Sequence, residues 1–268
     1  MDSKKLAWNI RRDVLEMVHS AHASHIGSAF SIADILAVLY TDFVDVDQLK
    51  HNDKNRTRII LSKGHAGAAI YAALAEIGLL PKKELQTYGM NGSKLSCHVS
   101  HNNVTGVEIS TGSLGQGVGM AAGIALAGSK AGLDYKTFVI VGDGECNEGS
   151  VWEMVLFARQ QKLNRLTMIV DCNGLQALGK TVDILDMSDL KKKFESFGWN
   201  VKSVNGHNHK DLKAALLTED ADKPTCIIAR TIKGKGVSFM ENNNLWHYRD
   251  PQGDAYTDAV MELERSKP

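Results

Sequence analysis

Two oxygen-bearing side chains, Asp143 and Asn173, stand thirty residues apart, each just beyond an apolar run. The first run, Thr137 to Val141, stops on Gly142-Asp143-Gly144; the second, Leu166 to Val170, closes on Asp171-Cys172-Asn173-Gly174-Leu175. A carboxylate, an amide oxygen and a nearby backbone carbonyl are hard ligands, suited to Mg2+ held together with a phosphate. Asp-Gly and Asn-Gly are also ordinary turn dipeptides. Their placement argues for more. A strand, a crossover helix and a strand of these lengths form a right-handed βαβ unit, whose strand ends share one edge of a parallel sheet. Asp143 and Asn173 can therefore meet.

The flanking chain supplies elements of the same kind. Leu6, Ile10, Val14 and Val18 recur four apart among charges, which predicts an amphipathic helix over residues 4–20. Ser31 and Asp34 read as a capping box that starts a second helix near Ile32, leaving His25-Ile26-Gly27-Ser28 as a loop. The strand Arg58 to Leu61 runs into Ser62-Lys63-Gly64-His65 and a small-residue helix stopped by Gly78. Such a strand-to-helix junction is a natural anion site, because free backbone N–H groups point outward. A short helix after Pro81 leads into a stretch rich in glycine and polar residues, KLSCHVSHNNVTGVEISTGSLGQG. There Gly112, Gly115 and Gly117 permit close backbone approach to a ligand, without the spacing of a dinucleotide fingerprint. A helix follows from Val118 to Ala127, and a capping box at Ser150 and Glu153 opens the crossover helix. Helix 189–197, strand 200–204, a helix near 210–217 and strand Thr225 to Ala229 complete the alternation. The expected architecture is one α/β domain over residues 1–268, a doubly wound, mostly parallel sheet with ligands at its carboxyl ends.

Composition removes several classes. Lysine plus arginine and aspartate plus glutamate number 31 each, so no net charge advertises nucleic acid or a membrane surface. No apolar run approaches the ~20 residues of a membrane span, and the N-terminus is charged rather than leader-like. Four cysteines without a C-x-x-C pair suit a reducing cytoplasm.

The GDG at 142–144 with its distant Asn173 resembles the thiamine-diphosphate motif of thiamine-dependent enzymes. With Glu148-Gly149 it is narrower still, similar to transketolases, and STGSLGQG and SKGH resemble further signatures of that family. The resemblance implies the thiamine-diphosphate-binding fold. It implies that Asp143, Asn173 and the Leu175 carbonyl hold Mg2+, or another divalent cation such as Ca2+ or Mn2+. The cofactor would be held by Ser28, Lys63, His65, Gly112, Ser113, Leu114, Gly142, Gly144, Glu145, Asn173, Lys233 and His247, with the Gly144 N–H offered to phosphate. His25, His65, His98 and His247 would be the catalytic set lining a sugar channel. His98 is preferred to His101 because it lies fourteen residues before Gly112. Imidazoles suit the work, since protons must leave and return to sugar hydroxyls near neutral pH.

Full-length transketolases are more than twice this size, and nothing here stands in for their second domain. The chain resembles the N-terminal half of a split transketolase. That implies a separate C-terminal partner chain, a heterotetramer of two of each, sugar substrates and a cytoplasmic enzyme. Other thiamine enzymes share the GDG…N motif, among them deoxyxylulose-phosphate synthase and the α chain of 2-oxoacid dehydrogenases. A non-catalytic cofactor-binding regulatory subunit is a reading of another class. Ile26 and Val99 stand where transketolases usually have proline, and Tyr248 where glycine is common. These departures point to a remodelled pocket, with a branched sugar phosphate or a sulfonated ketose as candidate donors.

Overall fold

Five short strands, four of them mostly apolar and one edge strand largely polar, pair into one parallel sheet, seen in a computed structural model that describes residues 2–268. The strands are β1 (Arg58–Leu61), β2 (Thr137–Gly142), β3 (Leu166–Cys172), β4 (Asn200–Asn205) and β5 (Thr225–Arg230), in spatial order β1-β2-β3-β5-β4. The register sets Val141 beside Val170, and Gly142 beside Asp171, so β2 and β3 end level. Alternate side chains feed two cores. Phe138, Ile140, Ile169 and Ile227 enter one, while Val139, Val141, Met168 and Val170 enter the other. Both faces of the sheet are thus covered, as a parallel sheet requires.

The helices are α1 (Ser3–Ala21), α2 (Ile26–Ser31), α3 (Ala33–Asp42), α4 (Val46–Lys50), α5 (Gly67–Glu76) and α6 (Gln116–Lys130). After β2 come α7 (Gly149–Gln160), α8 (Thr181–Ile184), α9 (Leu190–Ser196), α10 (His209–Leu216) and α11 (Asp254–Arg265). Residues of α1, α3, α5, α10 and α11 join the first core, and those of α6, α7 and α9 the second. The doubly wound expectation holds. No described helix is long and apolar enough to cross a membrane.

Three local readings need correction. Ser31 caps nothing: it ends α2, which already begins at Ile26 where a loop was expected. Asp34 instead accepts hydrogen bonds from Arg11, His207 and His209, tying α1 and α3 to the start of α10. Arg11 and the two imidazoles hold its carboxyl well below the usual range, outweighing the opposing effect of burial. Glu148, not Ser150, is the N-cap of α7, and the Ser150 hydroxyl donates to the Gly115 carbonyl at 2.9 Å. In each case a long-range polar partner outcompeted the local cap.

Candidate active site

The level strand ends place three oxygen-bearing side chains at one edge. Asp143, 4% exposed, accepts from the Gly144 N–H at 2.8 Å and the Gly174 N–H at 2.6 Å. The second bond crosses from the β2 end to the β3 end and fixes their spacing. The Gly144 N–H, expected to be free for phosphate, is therefore spent on Asp143. Burial, and then the neighbouring Asp171 charge, push the Asp143 carboxyl up to about 6. A buried carboxylate with so little compensation is a site that a cation would relieve.

Asp171 is fully buried and forms an ion pair with Lys63 at 2.6 Å. It also accepts from Ser31, Thr231 and Asn173. Burial alone would raise its pKa, but Lys63 and these donors pull it below the ordinary carboxylate value. Sequence reasoning did not single out Asp171. Its signal was an acid closing an otherwise apolar strand, two residues before Asn173.

A cavity of about 160 Å³ opens here, lined by Ser28, Lys63, His65, Leu114, Gly142, Asp143, Gly144, Glu145, Asn173, Leu175, Gln176, Ala177 and His247. Gln176 and Ala177 are additions to the expected set. Glu145 lines the cavity but turns its carboxylate inward, accepting from Ser62 and from the N–H groups of Gly115 and Gly142. Its role in this structure is to hold the loop before α6 against the end of β2. Ser113 is exposed and Gly112 lies against the His98 ring, so neither lines this cavity. Gly115 and Gly117 serve the protein's own packing. A side chain at Gly115 would strike Glu148 and one at Gly117 would strike Ser62, so close ligand approach is not what these glycines provide.

Above this edge, four imidazoles converge. His25 lies 5.2 Å from His65, 5.5 Å from His98 and 5.1 Å from His247, ring centre to ring centre. Gly64 makes this possible, because a side chain there would collide with Thr111 at the end of the His98 loop. His25 itself holds a left-handed backbone, φ 76°, an unusual conformation for a residue with a Cβ. Burial and neighbouring positive groups lower His25 to about 4 and His247 to about 3, and take His65 well below its ordinary value. These three rings are neutral at pH 7. The expectation of imidazoles titrating near neutrality used the unperturbed value, which desolvation beside Lys63 and Lys233 has moved. Lys233 joins the two regions: its Nζ lies 2.9 Å from His247 Nδ1 and donates to the Gln176 carbonyl at 3.2 Å. Burial and the Lys63 charge lower it to about 8.

Residues 2–260 match the family model described as "Transketolase, thiamine diphosphate binding domain". The chain belongs to the transketolase family. One subunit of an apulose-4-phosphate transketolase from Phocaeicola vulgatus is 37% identical, over 94% of this chain and 90% of its own. One subunit of a 6-deoxy-6-sulfo-D-fructose transketolase from Clostridium sp. is 37% identical, over 96% and 94%. The crystal structure of a Campylobacter jejuni transketolase superimposes with a TM-score of 0.89 at 29% identity, matching 98% of this chain. Only 43% of that transketolase is matched, whereas the subunit-type relatives are covered almost completely. The reading as the thiamine-diphosphate-binding half of a split transketolase therefore holds.

The residues present fit that cofactor with a divalent cation. Among those described, no three His, Cys, Asp or Glu side chains converge into a self-sufficient metal cage. One buried carboxylate, held by two backbone N–H groups, and one amide could supply part of a coordination shell, which a diphosphate and water would complete.

Proposed function

We propose that this transketolase subunit binds thiamine diphosphate through Mg2+ on Asp143, Asn173 and the Leu175 carbonyl. With a separate C-terminal subunit it would transfer a two-carbon ketol unit from a ketose to an aldose. The observation that carries the reading is the shared cavity of Asp143 and Asn173, lined also by His65 and His247, which His25 joins to His98. The cofactor supplies the electron sink that lets the carbon–carbon bond beside the ketose carbonyl break. The chain's own residues bind, orient and move protons. Lys63 and Lys233 place positive charge beside the diphosphate position. His25, His65, His98 and His247 would donate to, and accept from, sugar hydroxyls in the chamber, and the lowered basicity of His25, His65 and His247 suits brief proton uptake and return. Leu114 and Ala177 cover the lower wall with apolar surface that excludes water.

The partner would cover α6 and α7, which pack together and leave Met120, Leu156 and Phe157 exposed at 46%, 59% and 41%. Gly119 and Gly123 lie on the same side of α6 with open space around them, which admits a close neighbour. A heterotetramer with two of each chain, in the cytoplasm, is the simplest assembly. The names of the two subunit-type relatives support a donor outside the common pentose and hexose phosphates. Isothermal titration of thiamine diphosphate with Mg2+, with and without the partner, tests the reading. Weak binding and no ketol transfer by the single chain, with both gained on reconstitution, is the expected outcome. Ketol transfer by the rigorously purified single chain would overturn it.

A further inference from the structure

An asparagine can serve a cation by only one of its two ends. The amide oxygen offers lone pairs, whereas the NH2 end presents protons to the metal. Asn173 sits in a loop, so something must choose between the two orientations. In this structure its NH2 donates to Ser31 Oγ at 3.2 Å and to Asp171 Oδ2 at 3.1 Å. Asp171 is ionised and can only accept, so the orientation of the amide follows from its partner. The opposite end, Asn173 Oδ1, accepts from the Leu175 N–H at 3.1 Å and keeps its second lone pair. Ser31 Oγ in turn donates to Asp171 Oδ1 at 2.6 Å, which leaves the hydroxyl's acceptor side for the amide. Ser31 and Asp171 are both fully buried, and Lys63 holds Asp171 as the anion.

We infer that Ser31 and Asp171 are positioning residues, a clamp that presents the Asn173 amide oxygen to the cation. Neither lines the cavity. A flipped amide would set its oxygen against the Asp171 carboxylate, acceptor against acceptor, and would lose both donated bonds. Ser31 is the informative member, because Ser31→Ala removes a hydroxyl without adding volume or leaving Lys63 unpaired. The inference rests on the reading of Asp143 and Asn173 as cation ligands.

The test is a Mn2+ titration followed by electron paramagnetic resonance, with thiamine diphosphate present and the chain assembled with its partner subunit. Ser31→Ala should weaken Mn2+ binding on the order of tenfold, the scale of losing one outer-shell partner. The metal-free melting temperature should move by only a few degrees. In an Asn173→Ala background Ser31→Ala should add no further loss, since the hydroxyl acts through that amide. Unchanged Mn2+ affinity in Ser31→Ala would overturn the clamp. So would an equal loss in the Asn173→Ala background, which would mark a general structural role. If wild type takes up no Mn2+ with the cofactor, the cation site itself falls and the clamp with it. Should Ser31→Ala not fold, Ser31→Cys, of similar shape but a weak donor, carries the same comparison.

Discussion

Asp171 touches Lys63 and Asn173, and His25 touches His65 and His247, all four lining one cavity, yet the two surroundings have little in common. Around the Asp171 carboxylate stand Lys63, Ser31, Thr231 and Asn173, all within one hydrogen-bonded network. Around the His25 ring stand His65, His98 and His247, edge or tilted against it, with the exposed Tyr248 at 6.4 Å. The first region is charged and fully organised by this chain. The second is built of like groups, with His25, His65 and His247 neutral, and is open on one side. Half-made hydrogen-bond networks are costly when sealed from water, so a region finished within one chain is dense and a region awaiting more is open. On the proposed function, the edge of Asp143 and Asn173 is equipped before a cation binds, and substrate and partner would complete the histidine chamber.

The largest expected effect separates function from stability at the cation edge. Asp143→Ala should weaken metal-dependent binding of thiamine diphosphate by on the order of a hundredfold or more, since no other carboxylate in the cavity is free to replace it. The cofactor-free variant should melt within a few degrees of wild type, because the loss of the Gly144 and Gly174 hydrogen bonds is offset by removing a carboxylate that burial and Asp171 had made unfavourable. Calorimetric titration and a thermal melt of the same samples check both halves. Unchanged affinity would remove Asp143 from the cation site. A collapse in melting temperature would show that the edge is held together by Asp143 itself, rather than prepared by Asp171 and Lys63.

That division also explains what could be read from sequence. Strand ends, the alternation of helix and strand, and the meeting of Asp143 with Asn173 follow from local pattern and the handedness of one βαβ unit. The four histidines lie in four separate segments, two of them, His65 and His247, in short 3-10 turns, and only the family resemblance brought them together. Ser31 and Glu145 read differently in the sequence because their types fit other roles. Ser31 before an apolar run looks like a helix cap, and its hydroxyl is spent instead on Asp171, 140 positions away. Glu145 looks like a ligand beside Gly144, yet its carboxylate faces the loop before α6. Polar side chains at strand ends have several partners within reach, and sequence distance does not say which will win.

Lys233 sits on the border between the two regions and offers a smaller, pH-dependent effect. Its folded pKa of about 8 lies below the ordinary lysine value, so its charge is present below that pH and lost as pH rises through it. A bound diphosphate favours the charged form, and binding above pH 8 must therefore take up a proton. The dissociation constant for thiamine diphosphate should rise by about tenfold per pH unit above pH 8. Lys233→Met should weaken binding at pH 7 and flatten that limb. A limb that survives in Lys233→Met would assign the titration to another group, and would place Lys233 with the neutral chamber.

The smallest effect is expected at the open side. Tyr248 is 61% exposed, and its ring centre lies 4.8 Å from that of His247. It contributes little to the fold, so Tyr248→Gly should change stability by no more than ~0.5 kcal/mol. What it does provide is a rigid aromatic surface with a hydroxyl at the mouth of the chamber, where a donor's distal end would pass. A remodelled mouth predicts that the reconstituted wild-type enzyme prefers a branched sugar phosphate or a sulfonated ketose. Tyr248→Gly should then shift kcat/KM by a few-fold toward xylulose 5-phosphate and fructose 6-phosphate, because one contact discriminates on that scale. A donor panel on both enzymes decides it. If the two common phosphates already lead the wild-type panel, Tyr248 is a tolerated surface residue, and selectivity must come from the half of the chamber that the partner supplies.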